Sequence, residues 1–225
     1  MSKLFCFIKK PKIKIYVDID DCIINTVETT VKFLNEKLNI EPPKSAKDVT
    51  YYSGFKEIGE IHISELEEYW ETNDFFNNIE LDKDFLEYFK SNVKNFNWEF
   101  LTIGTKKNLS KKYKYLKKQF QEFLENKTVK YTGLLSHQNI LNKSNYIKKY
   151  KLQDQFLIQI DDNYDNLKNS QVDLKILIKN YYDREYNKVN PGDNVYIVNT
   201  WREIIEILNF YNSNYKKIKN LEGGK

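Results

Sequence analysis

Two rhythms of apolar residues alternate along the chain. Short, nearly unbroken apolar runs occur at 13–19, 98–104 (WEFLTIG), 128–132, 156–160 (FLIQI), 174–178 (LKILI) and 195–198 (VYIV). Their length and lack of polar alternation predict strands covered on both faces. Between them, apolar residues recur at steps of three and four. Leu109, Tyr113, Leu116, Phe120 and Phe123 predict one amphipathic helix, and Trp201, Ile204, Ile205 and Leu208 another with Thr200 as its N-cap. Strands alternating with helices predict an α/β fold: a Rossmann-like parallel sheet with helices on both faces.

Residues 26–90 break this rhythm. Val27, Val31, Leu34 and Leu38 mark a helix that stops before Pro42 and Pro43, and ISELEEYWE and KDFLEYFK add helical segments with no strand of similar quality. The expected organisation is a core made of 1–26 and 91–213, a helical cap at 27–90 inserted after the first strand, and a polar, flexible tail at 214–225.

Composition narrows the setting. A chain of 225 residues can bury a proper core, and 15% aromatic content with few glycines and four prolines argues against disorder. The net charge of +4 is spread through a chain rich in Lys, Asn, Ile and Tyr, and is a weak pointer to anionic ligands. Cys6 and Cys22 are too few for a disulfide framework, which favours a reducing compartment. MSKLFCFIKK has too short an apolar core for a signal peptide, and no apolar run approaches ~18 residues. A cytoplasmic protein with no membrane partner is expected.

The polar residues at the strand ends suggest chemistry. The first strand runs into Asp18, Asp20 and Asp21, the second into Gly104, Thr105, Lys106 and Lys107, and the fourth into Asp161 and Asp162. Ligands of open parallel sheets lie outside the carboxyl ends of the strands. Carboxylates from two strands repel there unless a cation neutralises them, and magnesium is the usual hard, oxygen-seeking choice. A hydroxyl and lysines nearby suit phosphate oxygens.

YVDIDDC, a hydrophobic strand followed by Asp-x-Asp, resembles the first motif of the haloacid dehalogenase (HAD) superfamily. A strand ending in Thr, an intervening Lys and a strand ending in an acidic pair follow in the same order, over about residues 13–210. DIDDCIIN, NDFFNNIELDKDFLEYFK, the Ile-Asp-Asp ending, ILIKNYYDREYN and NTWREIIEIL are most similar to the 5'(3')-deoxyribonucleotidase branch.

This resemblance implies a magnesium-dependent phosphomonoester hydrolase working through an aspartyl phosphate. Asp18 would be the nucleophile and Asp20 the general acid and base. Magnesium would be held by Asp18, the carbonyl of Asp20, and Asp162, with Asp161 beside it or in its place. Thr105 and the backbone of Lys106 would meet phosphoryl oxygens. Lys143 would offset charge between Asp18 and the phosphate, with Lys148, Lys149 and Lys151 open as alternatives. The implied substrate is a small phosphomonoester, first of all a nucleoside monophosphate and alternatively a sugar phosphate. A nucleic-acid end-processing phosphatase is a further alternative with only the lysines of 106–118 behind it, so nucleic acid is not the expected partner. The oligomeric state stays open, a homodimer among the options.

The sequence departs from the pattern at Asp21, which replaces a common Gly and is expected to face solvent or substrate. It departs again at Cys22, which replaces Thr or Val and is expected to pack quietly. Taken without the resemblance, KKNLSKKYKYLKK is a solvated helix face, and His62 and His137 are structural or exposed. Tyr51, Tyr52, Phe55, Trp70, Phe75 and Phe76 are then the cap's core, with one or two also able to stack on a ligand.

Overall fold

Six of the apolar runs become six parallel strands: β1 (Ile13–Val17), β2 (Asn97–Gly104), β3 (Val129–Leu135), β4 (Phe156–Asp161), β5 (Leu174–Ile178) and β6 (Val195–Val198), in the order β3-β2-β1-β4-β5-β6. The computed structural model describes residues 13–49, 55, 58–136, 142–151, 155–179, 189 and 193–222, with side chains of the last helix described to Tyr215. Cys6, Tyr51, Tyr52, His137 and the aromatic stretch at 180–187 lie outside the described residues. Eight α-helices occur among the described residues: α1 (Thr26–Leu38), α2 (Ile63–Tyr69), α3 (Asn73–Asn78), α4 (Lys83–Asn92), α5 (Lys106–Glu125), α6 (Lys143–Tyr150), α7 (Tyr164–Lys168) and α8 (Trp201–Glu222).

Successive residues of a strand point to opposite faces, and both faces here are apolar. Ile15, Val17, Trp98, Phe100, Ile158 and Ile160 meet Phe85 and Phe89 of α4, Leu116 and Phe120 of α5, and Trp201, Ile204 and Leu208 of α8. Tyr16, Leu101 and Leu157 on the other face meet Tyr146 and Ile147 of α6, and Leu177 meets Tyr164 and Leu167 of α7. The result is a Rossmann-like three-layer α/β fold.

Several expectations change, among them the third strand, which runs on to Leu135 rather than ending at 132. The first strand ends at Val17 rather than at 19, because the backbone N–H groups of Ile23 and Ile24 both donate to the Ile19 carbonyl and turn the chain. On α5 the buried stripe is Leu109, Lys112, Leu116 and Phe120, so Tyr113 is 39% exposed while Lys112 is only 4% exposed. Tyr113 lies one residue round the helix, where its ring packs on Tyr131 at 5.2 Å. Finally, α8 runs past the start of the expected tail to Glu222, and buried Tyr215 sets its ring edge-on to Phe156.

The helical insertion leaves and re-enters the core at one point. Ile24 bridges Leu81, Asn25 N–H donates to the Glu80 carbonyl at 3.2 Å, and Asp82 N–H donates to the Ile23 carbonyl at 2.9 Å. Val27, Val31, Leu34, Phe55, Ile58, Ile61 and Leu66 form a separate apolar cluster within the insertion. Helix α4, placed within the cap by its sequence, starts after this crossing and packs on the sheet through Phe85 and Phe89.

One charge is buried inside the layer away from the strand ends. Glu99 of β2 is 0% exposed and takes Lys14 at 2.8 Å, Lys130 at 3.1 Å, and the hydroxyls of Thr132 and Tyr146, each at 2.6 Å. Burial alone would raise its carboxyl, but these donors outweigh it and hold it below the ordinary 4.5. A depressed carboxylate contributes stability that is full above the ordinary value and is lost as pH falls through the folded one. Replacing Glu99 with Gln is therefore expected to cost about 3 kcal/mol near neutrality by leaving a half-paired buried cluster. Urea melts at pH 7 and pH 3 check this: the gap between wild type and variant should narrow toward acid.

Candidate active site

The carboxylates converge because of strand register. Val17 pairs with Ile160, so the residues after them, Asp18 and Asp161, end adjacent strands side by side on the α6 face. Like charges directly opposite each other are destabilising. The structure resolves the conflict with Lys143, the first residue of α6, which is 2% exposed. Its Nζ lies 2.7 Å from Asp18 Oδ2 and 2.8 Å from Asp161 Oδ2. Burial would lower this ammonium, but Asp161 and Asp18 hold it above its usual value. Lys148, Lys149 and Lys151 are exposed, so Lys143 alone of the four meets the carboxylates.

Asp18 Oδ1 accepts the Ile19 N–H at 2.8 Å. Burial pushes its carboxyl up to about 7 against the pull of Lys143, with Asp161 and Asp20 adding to the rise. Asp161 is 0% exposed, and its Oδ1 accepts the Asn163 N–H at 3.1 Å and the Asn166 amide at 2.9 Å. Asp162 is buried beside it and, unlike Asp161, lines the cavity above the strand ends.

Asp18, Asp161 and Asp162 each bring a carboxylate oxygen within 4.8 Å of the other two. Lys143 offsets one of these three negative charges, and the remaining charge on a buried cluster of carboxylate oxygens suits a hard divalent ion. The residues fit magnesium.

Asp20 stands apart from that cluster. Its Oδ1 accepts the Thr26 hydroxyl at 2.9 Å, while its Oδ2 accepts the Lys112 ammonium and the Thr102 hydroxyl, the latter at 3.4 Å. Lys112, Thr102 and Thr26 are residues the sequence reading missed. The available signal was the place of Lys112 three residues after Leu109 and four before Leu116, on the inward stripe.

Asp21 faces the cavity rather than bulk solvent. It is buried at φ 50°, a left-handed conformation that Asp tolerates better than most residues, and its Oδ1 accepts the Val27 N–H at 2.9 Å. The carboxylate thus ties the strand-end loop to the first turn of α1. Cys22 is buried and its carbonyl accepts the Trp201 indole N–H at 2.6 Å.

Thr105 is the N-cap of α5, accepting the Asn108 N–H at 3.2 Å, and its hydroxyl donates to Glu71 of the insertion. The Lys106 side chain is exposed, so what it can offer a phosphate is its N–H in the first turn of α5. His62 is exposed.

A cavity of about 300 Å³ joins these groups. Asp18, Asp20, Lys112, Lys143 and Asp162 line its floor, and Val27, Phe55, Trp70 and Phe75 come from the insertion. Phe55 and Phe75 are nearly fully buried, whereas Trp70 is half-buried and ties its indole N–H to Thr30 at 2.9 Å.

No family model and no curated protein matches the sequence. Solved structures do match the fold. A magnesium-bound Bacillus subtilis protein, YfnB, assigned as a HAD-hydrolase, is 15% identical with a TM-score of 0.55, covering 89% of this chain and 100% of its own. A Lactobacillus delbrueckii subsp. bulgaricus protein assigned as a phosphoglycolate phosphatase is 14% identical with a TM-score of 0.52, over 88% and 98%. A predicted phosphatase from Clostridium acetobutylicum is 16% identical with a TM-score of 0.51, over 88% and 99%. The fold is that of the HAD-superfamily hydrolases. No described helix is long and apolar enough to cross a membrane.

Magnesium is expected to raise the melting temperature with increasing concentration, since a ligand of the folded state alone adds about 2.7 kcal/mol at a hundredfold excess over Kd. Asp162→Asn should remove most of that rise. Thermal melts across a magnesium series check this, and an unchanged rise in the variant would place the ion elsewhere.

Proposed function

We propose that this chain is a magnesium-dependent phosphomonoester hydrolase that works through an aspartyl phosphate, with a nucleoside monophosphate as substrate. The observation that carries the reading is the Lys143 ammonium held between Asp18 and Asp161 at the floor of a cavity also lined by Asp162. The fold shared with HAD hydrolases supports it.

An Asp18 oxygen attacks phosphorus, and its new O–P bond forms as the ester O–P bond breaks. Asp20 gives its proton to the departing alcohol. Water then attacks the phosphorus, Asp20 takes the water's proton, and the bond to Asp18 breaks to release phosphate. Lys143 offsets the charge that Asp18 and the phosphoryl oxygens bring together. Magnesium, held by Asp18, Asp162 and the Asp20 carbonyl with Asp161 beside them, would neutralise phosphoryl oxygens. Thr105 and the Lys106 N–H bind a phosphoryl oxygen once the Thr105 hydroxyl is released from Glu71.

Trp70 supports the nucleotide part of the reading: it is the half-buried aromatic on the insertion's side of the cavity, suited to a base. A second reading, a small phosphorylated metabolite, is supported by the cavity volume, which is at the low end for ligand sites, and by the likeness to the protein assigned as a phosphoglycolate phosphatase. End-processing of nucleic acid loses support, because Lys112, one of the lysines it would draw on, is turned inward.

Purified protein should hydrolyse p-nitrophenyl phosphate with magnesium and stop with chelator, and Asp18→Asn should cut turnover more than about a hundredfold. Turnover that survives chelation would overturn the assignment. In a panel of phosphoesters, a deoxyribonucleoside monophosphate should show the highest kcat/KM. A tenfold preference for a sugar phosphate or phosphoglycolate, about 1.4 kcal/mol of discrimination, would replace the substrate and leave the chemistry standing.

A further inference from the structure

We infer that Lys112 is a positioning residue for the proton-transferring carboxylate of Asp20, and this rests on the phosphatase reading above. Helix α5 carries many lysines, and most of them face solvent. Lys112 differs: it occupies the inward stripe between Leu109 and Leu116, is 4% exposed, and ends on Asp20, ninety-two residues away in the chain. A leucine there would pack at no electrostatic cost. An ammonium taken out of water costs several kcal/mol unless a partner and further hydrogen bonds compensate it.

The compensation falls on one oxygen. Asp20 Oδ2 receives the Lys112 ammonium and the Thr102 hydroxyl, and Lys112 Nζ lies 3.3 Å from that same hydroxyl. The three groups form a closed triangle under Oδ2. Oδ1 takes Thr26 at 2.9 Å, which leaves it a second lone pair. Both Asp20 and Lys112 line the cavity. The arrangement fixes the plane of the carboxylate, assigns Oδ2 to the protein and turns Oδ1 to the ester oxygen. Lys143 cannot perform this task, because its contacts are Asp18 and Asp161. Each of the two buried lysines among the described residues therefore serves a different carboxylate.

A residue that orients the acid matters most when the departing oxygen needs a proton. Glycerol 2-phosphate, an alkyl ester, needs one, whereas p-nitrophenyl phosphate releases p-nitrophenolate, a stable anion that departs without a proton. Lys112→Met is expected to lower kcat for glycerol 2-phosphate at least tenfold more than for p-nitrophenyl phosphate, with KM little changed, and Lys112→Arg should recover part of the loss. Lys112→Gln, which keeps a donor without the charge, serves the same comparison should the Met variant not fold. Thermal melts of Lys112→Met, Asp20→Asn and the double variant give a readout free of turnover. The double variant should lose less than the sum of the two singles, since each single leaves a partner unpaired. Equal losses on both esters, or additive losses in melting temperature, overturn the role while wild-type activity keeps the phosphatase reading intact. Wild-type protein that turns over neither ester overturns both together.

Discussion

The buried ammonium of Lys143 makes the rest of the site possible. The order β3-β2-β1-β4-β5-β6 puts the two acidic strand ends next to each other, and their register sets Asp18 beside Asp161. Two carboxylates so placed and so buried would disfavour each other's ionisation. Lys143 meets both, and it does so from the first residue of α6, where the partial positive charge of the helix makes a cation locally unfavourable. Asn142 caps that helix through Asn145 N–H at 2.8 Å, so the segment stops abruptly enough to aim Lys143 inward. A local rule is broken where the site requires it, a pattern typical of functional positions.

The second carboxylate of the Asp-x-Asp pair is served from the opposite layer. Helix α6 covers the face of Tyr16 and Leu157, and α5 covers the face of Val17 and Phe100. Asp18 therefore shares its lysine with a third carboxylate among buried neighbours, whereas half-buried Asp20 has a lysine and two hydroxyls of its own. Two carboxylates two residues apart acquire different surroundings, and that difference suits the separate roles proposed for them, nucleophile and proton carrier. The division follows from the alternation of layers around a parallel sheet.

This contrast also explains what the sequence makes legible. Strands buried on both faces must be apolar throughout, so WEFLTIG and FLIQI stand out against the polar remainder, and the strand order then brings Asp18 and Asp161 together. Lys143 is legible by its place ahead of the second acidic pair. Lys112 is hidden because the eye follows Tyr113: a helix of 3.6 residues per turn lets either position join Leu109 and Leu116, and only packing decides. Thr102 is hidden within an apolar run where its hydroxyl has no visible partner. The extent of the insertion is obscured for a related reason, since KDFLEYFK has the same pattern whether it covers the sheet or the cavity.

The loop after β1 joins these parts mechanically. Trp201 of α8 holds the Cys22 carbonyl from below, and Ile24 and Asp82 pin both ends of the insertion at the same level. Above that anchor, Asp20 bonds Thr26 and Asp21 bonds Val27, the first two residues of α1. The insertion's first helix therefore starts on the side chains of two residues of the acidic motif. Glu71, Trp70 and Asn73 of the insertion in turn contact Thr105, Asn108 and Lys111 at the start of α5, the helix that carries Lys112. A shift of the insertion acts on Asp20 by two routes, through Thr26 directly and through α5 to Lys112. Among the described residues Asp18 has no such hydrogen bond to the insertion: its contacts with Ile19, Ile160 and Lys143 lie within the core. Motion of the insertion can thus change the setting of Asp20, the proposed proton carrier, while leaving Asp18, the proposed nucleophile, and Lys143 in place.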